Sequence, residues 1–121
     1  MLPDRFEDKR GVIQDLLGPV DSVTRIDTNA GHIRGNHVHA NTTQWVYVIS
    51  GSLLVATDTL TADGVDHRLY GPGDLIEEKP GLPHAWKAMD DTTVLVFTKG
   101  PRSGEDYESD TVRLPEEKRL L

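Results

Sequence analysis

Short runs of alternating apolar and polar residues, separated by glycine, proline and aspartate, constrain the fold of this chain more than any other feature. The runs recur about every ten residues, which is typical of an all-β sandwich or barrel. Asp63-Gly64 is a strong hairpin signal, because glycine accepts the positive φ that a tight turn requires. No long helical period is present. The pattern predicts nine strands, at residues 11–17, 22–28, 32–40, 43–50, 52–59, 65–70, 75–78, 84–88 and 93–98.

The length of the chain predicts one domain. Its 121 residues leave no room for a second. We expect the barrel core at about residues 20–99, followed by a polar C-terminal extension at 100–121. Tyr107, Val112 and Leu114 in this extension could pack over the barrel or onto a partner subunit, and periodicity does not decide between a tail and these two packings. A core of this size is modest, so a homodimer is expected.

Composition excludes several classes of partner. The net charge is −7 and the basic residues are scattered, which argues against nucleic acid. No apolar stretch approaches the ~20 residues of a membrane span, and no secretory signal is visible, so we expect no membrane contact and a cytoplasmic location. Cysteine is absent, which leaves nitrogen and oxygen atoms as the ligands for any metal.

Three histidines carry the best evidence for function. His37 and His39 are two residues apart on one predicted strand and therefore point to the same face. Gln44 can reach that face from the next strand, and His84 follows a Gly/Pro turn that begins a later strand. Three imidazole nitrogens and one amide oxygen could therefore converge, leaving open positions for water or substrate if a metal is bound.

These residues resemble the two motifs of the cupin superfamily. Gly31, His37, His39 and Gly51 match the first motif, and Gly73, Gly81 and His84 match the second. Gln44 stands where cupins usually carry a glutamate ligand, and Lys79 replaces the usual second-motif proline. The resemblance implies a double-stranded β-helix, or jelly-roll, barrel. It also implies a divalent transition metal such as Zn, Mn, Fe or Ni, bound by His37, His39, Gln44 and His84.

A narrower resemblance covers the segment from Arg34 to Gln44 and the stretch Asp8-Lys9-Arg10-Gly11 with the apolar residues after it, which looks like an entry strand. Both are similar to the ketoisomerases and epimerases that act on sugar nucleotides. This likeness implies catalytic roles for His37 and His39, as acid and base in enzymes of that group that need no metal. A metal site and a metal-free histidine pair therefore both remain open.

Two further residues are candidates for binding a small-molecule substrate. Arg34 lies on the face opposite His37 in a regular strand, but a bulge at Gly35 would redirect it toward the pocket to hold a phosphate or carboxylate. Trp86 alternates onto the face of His84 and is a candidate pocket wall. A salt-bridged surface arginine and an ordinary core tryptophan are the alternatives.

Other polar and aromatic residues are assigned to less specific roles. Gln44 either ligates the metal or orients His37 or His39 through a hydrogen bond. Because the Gln44 side chain is neutral, it would hold a cation less tightly than a glutamate would. Glu77 and Glu78 are predicted to be solvated, with one of them turned inward as a general base as the alternative. Trp45, Tyr47, His32 and His67 are expected outside the pocket.

The sequence thus predicts a small metal-binding barrel. Its expected chemistry is isomerisation or epimerisation of a carbohydrate or another small hydroxy-carbonyl compound, through an enediolate. A metal-dependent dioxygenase and a non-catalytic barrel that binds a sugar or other small molecule are the alternatives, because one fold hosts many activities.

Overall fold

The chain folds into antiparallel sheets, as the alternating sequence predicts. The computed structural model describes residues 5–100 and 104–121, and the side chains of residues 104, 105 and 107 lie outside that description. The strands are β1 (Arg5–Asp8), β2 (Gly11–Gln14), β3 (Ser22–Thr28), β4 (Ile33–His39), β5 (Thr43–Ser50), β6 (Leu53–Asp58), β7 (Val65–Tyr70), β8 (Leu75–Glu78), β9 (His84–Ala88), β10 (Thr92–Lys99) and β11 (Thr111–Arg113). Helix α1 (Gly104–Asp110) precedes β11, and a 3₁₀ turn at Glu116–Lys118 follows it.

Two sheets enclose the apolar core. One has the strand order β3-β10-β5-β8 and the other β11-β4-β9-β6-β7, with every pairing antiparallel. Such a double sheet of antiparallel strands is the jelly-roll arrangement that the resemblance to cupins implies. Alternate side chains of the facing strands meet in the middle, where they exclude water. The buried cluster consists of Val46, Val48, Leu53, Val55, Ile76, Trp86, Val94 and Val96.

Most predicted strands match the observed ones. Five of them, at 22–28, 43–50, 65–70, 75–78 and 84–88, have the predicted bounds, and three others differ by one residue at each end. The prediction at 11–17 is too long, because β2 ends at Gln14, opposite the first residue of its four-residue partner β1. Gly64 has a φ of 72°, in keeping with its predicted place in the hairpin turn.

The C-terminal extension forms part of the barrel wall. β11 pairs with β4, so that Thr111 lies opposite His39 and Arg113 opposite His37. The side chain of Asn36 accepts a hydrogen bond from the Leu120 amide and donates one to the Leu121 carbonyl. Of the three residues predicted to pack, Leu114 is half-buried, Val112 is exposed, and the side chain of Tyr107 lies outside the described part. β11 and Leu114 therefore lie against the barrel, and packing of the extension onto a partner subunit stays a prediction.

The N-terminal hairpin, residues 5–14, stands apart from both sheets. β1 and β2 pair only with each other among the described strands. Phe6, Val12 and Ile13 are exposed on it, and Ile13 retains 67% of its accessible surface. An isolated two-stranded ribbon is marginally stable in water, so this segment lacks the packing that stabilises the barrel.

Among the described residues, no helix has the length and apolar character that crossing a membrane requires.

Candidate active site in the barrel

The three predicted histidines meet inside the barrel. His37 and His39 project from one face of β4, and the register of β4 with β9 places His84 directly opposite His37. The Nε2 atoms of His37 and His84 are 3.1 Å apart, and one ring nitrogen from each of the three residues lies within 4.8 Å of the other two. His39 and His84 are buried, and His37 is half-buried. The predicted convergence of the three imidazoles is confirmed.

Backbone and side-chain partners hold two of the rings in place. Nδ1 of His84 lies 3.2 Å from the Leu82 carbonyl oxygen, which can only accept, so Nδ1 carries a proton and Nε2 faces the cavity. Nδ1 of His39 lies 3.0 Å from Thr111 Oγ1 on β11. The C-terminal extension therefore contributes directly to the orientation of His39.

Asp110 lies next to His39 and contacts the residues that follow it on the chain. Its carboxylate accepts hydrogen bonds from the Asn41 amide at 2.7 Å and from Thr42 Oγ1 at 2.5 Å. One carboxylate oxygen is 3.9 Å from His39 Nδ1. Burial works to raise the pKa of Asp110, but the hydrogen bonds from Thr42 and Asn41 outweigh it and hold the pKa below its usual value. The sequence analysis missed Asp110 because it lies in the polar extension.

Glu78 departs from the predicted solvated position. Its side chain is 3% exposed, and Oε2 lies 2.7 Å from His84 Nε2. Apart from this contact, neither carboxylate oxygen has a hydrogen-bond partner in the part of the chain that the structure describes. Glu77 is exposed as predicted. Alternation places Glu78 on the face of the buried Ile76, and that was the sequence signal available for an inward glutamate.

The local environment drives the pKa values of the three histidines apart. Burial, reinforced by the charges of His84, His39 and Arg113, lowers the pKa of His37 to about 3. Burial also lowers the pKa of His39. For His84, burial works in the same direction, but the hydrogen bond and charge of Glu78 outweigh it and raise the pKa.

Gln44 is held by two neighbours in the site. Its Nε2 lies 3.4 Å from Thr98 Oγ1, and its side chain lies near enough to His39 to counter the fall in the pKa of that imidazole. These contacts agree with the predicted orienting role. Gln44 and Val46 line the cavity and Trp45 and Tyr47 do not, so the two faces of β5 are divided as predicted.

A β-bulge turns Arg34 toward the cavity. The register between β4 and β9 shifts between Gly35 and His37, where Gly35 and Asn36 adopt φ values of 89° and 55°. Arg34 consequently lines the cavity, with Nε donating to Thr28 Oγ1 at 2.8 Å and Nη2 to the Asp27 carbonyl at 3.3 Å. A side chain added at Gly35 would approach the His84 backbone oxygen to 3.0 Å, so this close strand contact requires glycine.

The cavity has a volume of about 510 Å³ and an arginine-rich mouth. Arg34, Arg113 and Arg119 line it, and no described carboxylate side chain does. Trp86 is buried and forms part of the wall, as predicted, and Leu114 and Leu121 contribute from the extension. Sequence analysis did not single out Arg113 or Arg119, which reach the cavity only through the packing of β11 and the segment after it. His32 and His67 are exposed, as expected.

Two of the donor atoms have the spacing of ligands to one divalent transition metal. Two nitrogens that each lie 2.0–2.1 Å from one ion are separated by about 3.0–3.4 Å, depending on geometry. The 3.1 Å between His37 and His84 Nε2 lies in that range. The buried Glu78 carboxylate supplies negative charge nearby, and a buried carboxylate with few hydrogen bonds is costly unless a cation accompanies it.

Fold and site together define the class of protein: a jelly-roll barrel with an imidazole cluster inside it. The cupin family model matches residues 16–106, which is three quarters of the chain. The chain belongs to the cupin family. Among curated proteins, none matches the chain significantly.

Solved structures with the same fold include enzymes of sugar-nucleotide metabolism. The sugar 3,4-ketoisomerase QdtA from Thermoanaerobacterium thermosaccharolyticum, solved in complex with TDP, has a TM-score of 0.73 and 16% identity, over 97% of this chain and 88% of QdtA. The rmlC epimerase of Mycobacterium tuberculosis has a TM-score of 0.69 and 20% identity, over 93% of this chain and 66% of the epimerase.

A third similar structure is the larger capsular polysaccharide assembling protein CapF from Staphylococcus aureus. It has a TM-score of 0.69 and 17% identity, over 91% of this chain but 33% of CapF. This chain therefore spans about one third of CapF. At these identities the three structures establish the fold.

Proposed function

We propose that this cupin is an isomerase or epimerase of an anionic carbohydrate that carries a hydroxy-carbonyl group. One observation carries the proposal: His37 and His84, two of the three clustered imidazoles, line a cavity that three arginines also line and no described carboxylate side chain does. The net charge of the whole chain is −7, so the basic mouth contrasts with the overall charge. Guanidinium groups bind phosphate and carboxylate oxygens through paired hydrogen bonds.

The similar structures favour a phosphorylated or nucleotide-linked sugar as the substrate. QdtA is a ketoisomerase whose structure contains TDP, and the rmlC protein is an epimerase. The cavity of about 510 Å³ lies within the usual range for a small-molecule site. In this proposal Arg34, Arg113 and Arg119 hold the anionic group, and Trp86 forms an apolar wall beside the sugar.

His37, His39 and His84 are proposed to hold a divalent transition metal. When bound, such an ion polarises a carbonyl group and stabilises an enediolate. The lowered pKa of His37, about 3, leaves the imidazole neutral at pH 7, which is the form that binds metal. A group with so low a pKa is also a weak base, and this favours ligation over proton abstraction for His37.

A metal-free histidine pair is the second candidate mechanism. It is favoured by the raised pKa of His84 beside the lowered values of His37 and His39, because a site with separated pKa values can hold an acid and a base together. His39 would then accept the proton and His84 would donate it. Elemental analysis of the purified protein distinguishes the two candidates: about one metal per chain, lost in His37→Ala and His84→Ala, supports the metal site.

Solvent exchange tests the reaction itself. A nucleotide-linked keto sugar incubated with the protein in D₂O is expected to gain deuterium next to its carbonyl, and His84→Ala is expected to abolish the gain. His67→Ala is the matched control, because His67 is exposed and does not line the cavity. Oxygen consumption without isotope exchange would instead indicate a dioxygenase, and tight binding without turnover a sugar-binding protein.

We also propose that the chain forms a homodimer through the N-terminal hairpin. Phe6, Val12 and Ile13 are exposed there, and the hairpin pairs with neither sheet. Contact with a second copy would bury these side chains, and each buried aliphatic side chain contributes about 1.5–3 kcal/mol. Sedimentation analysis measures the oligomeric state.

A further inference from the structure

Glu78 occupies an unusual position for a buried carboxylate. It lies at the end of β8, directly across from Gln44 in the β5–β8 ladder. Cross-strand partners share one face of a sheet, so the two side chains project toward the same region of the barrel. Gln44, the neutral amide on β5, thus has the Glu78 carboxylate as its immediate neighbour on β8.

The contacts of Glu78 and Gln44 differ in kind. Gln44 donates a hydrogen bond to Thr98 Oγ1 and interacts with His39. The oxygens of Glu78 have no hydrogen-bond partner in the described residues other than His84, although the side chain is 3% exposed. Gln44 is therefore held by protein groups, whereas Glu78 has coordination capacity left over.

Distances place the carboxylate among the candidate ligand atoms. Glu78 Oε2 is 2.7 Å from His84 Nε2, which in turn is 3.1 Å from His37 Nε2. With a proton on His84 Nδ1, a neutral His84 presents the Nε2 lone pair to both of these atoms. Two nitrogen lone pairs and a carboxylate at such separations repel one another unless a metal cation, or a second proton on His84, lies among them.

We propose that Glu78, and not Gln44, supplies the anionic oxygen ligand of the metal site. The carboxylate ligand then comes from β8, across the β5–β8 ladder from the usual cupin position on β5. The site keeps three imidazoles and one negative charge. Gln44 then serves as a positioning residue for His39. The inference rests on the proposed metal site and adds to it a ligand from a different strand.

Metal titration of Glu78→Gln tests this assignment. Protein stripped with a chelator is titrated calorimetrically with Zn²⁺ and separately with Mn²⁺. Replacing the carboxylate by its neutral isostere is expected to weaken binding by at least about tenfold. The loss should be larger for Mn²⁺ than for Zn²⁺, because Mn²⁺ depends more on oxygen ligands. Glu77→Gln is the matched control, because it removes the same charge from the exposed neighbouring residue and should leave affinity unchanged.

A charge swap sharpens the test. In the double variant Gln44→Glu/Glu78→Gln, the carboxylate moves to the facing strand, and we expect most of the lost affinity to return. If Glu78→Gln does not fold, the infrared spectrum of the unaltered protein decides: a shift of a carboxylate band on Zn²⁺ binding supports the assignment, and its absence overturns it.

The possible failures are distinguishable. If the unaltered protein binds metal and Glu78→Gln binds it equally well, the assignment of Glu78 is wrong and the histidine site stands. If the unaltered protein binds neither Zn²⁺ nor Mn²⁺, both the assignment and the metal site are wrong. Deuterium exchange into the keto sugar would still test the isomerase proposal in that case.

Discussion

At the histidine end of the barrel, charged and polar side chains are buried, whereas the N-terminal hairpin exposes its largest apolar ones. His39, Glu78 and Asp110 are almost inaccessible to solvent, while Phe6 and Ile13 retain more than half of their accessible surface. Hydrogen bonds and close charges within the chain accompany the first group. The strands that carry the second group are hydrogen-bonded to neither sheet of the described barrel. This difference suggests that the histidine end serves a ligand inside the barrel and that the hairpin serves a partner outside it.

The largest effect expected from this comparison is at Asp110. Asp110→Ala removes the acceptor for the Asn41 amide and Thr42 Oγ1, and it leaves the buried Thr42 hydroxyl without this partner. The free energy of unfolding should fall by about 3 kcal/mol. Urea denaturation followed by tryptophan fluorescence measures it. Asp106→Ala on the same helix is the control, because Asp106 is exposed and its loss should change stability by less than about 0.5 kcal/mol. Equal effects of the two changes would contradict the supporting role of Asp110.

The sequence predicted the strands and the pairing of His37 with His39 from local periodicity, whereas His84 was placed beside them by its Gly/Pro turn and by the resemblance to the cupin motifs. It did not reveal Asp110 or β11, since a three-residue strand is too short to show alternation. Glu78 was ambiguous for a related reason: each face of Leu75–Glu78 carries one apolar residue and one glutamate, and only the opposing sheet decides which face is buried. Arg34 required a bulge, and the sequence showed only that Gly35 would permit it.

The next largest loss of stability is expected from a substitution at Gly35, in the bulge of β4. Gly35→Ala combines positive-φ strain with a contact of 3.0 Å to the His84 backbone oxygen, and it should lower stability by about 2–3 kcal/mol. Gly31→Ala is the control, because Gly31 has a similar φ of 87° with no atom within 4 Å of an added Cβ. The difference between the variants in thermal unfolding measures the close approach of β4 to β9. If Gly35→Ala and Gly31→Ala lose equal stability, the close contact between Gly35 and the His84 backbone does not contribute to the loss.

A smaller change in folding stability is expected from the protonation of His37 at low pH. Its pKa is about 3 in the folded chain and 6.5 ordinarily, so between these pH values the unfolded chain binds more protons. Stability from His37 is therefore complete above about pH 6.5 and lost as the pH falls toward 3. Because the ring is only half-buried, we expect about 1 kcal/mol in chelator-treated protein.

His37→Gln should flatten this acid limb of the stability curve. Its control, His67→Gln, replaces an exposed histidine and should leave the limb unchanged. The raised pKa of His84 acts in the opposite sense, since its contribution is present below its ordinary value and is lost as the pH rises through the folded value. An acid limb that persists in His37→Gln would contradict the assignment to His37.

The smallest change in chain stability is expected at the hairpin, where the effect on association should be large instead. Ile13 is 67% exposed, so Ile13→Ser should alter the stability of the dilute chain by less than about 0.5 kcal/mol. In a two-fold dimer each substitution counts twice, and the loss of two buried isoleucines should weaken dimerisation by at least about a hundredfold. Sedimentation equilibrium over a range of concentrations measures this dissociation constant. Leu69→Ser, at a site 66% exposed on the edge strand β7, is the control and should leave it unchanged. A dimer that survives Ile13→Ser but not Leu69→Ser would move the interface from the hairpin to β7, and it would remove the contrast between the two ends of the molecule.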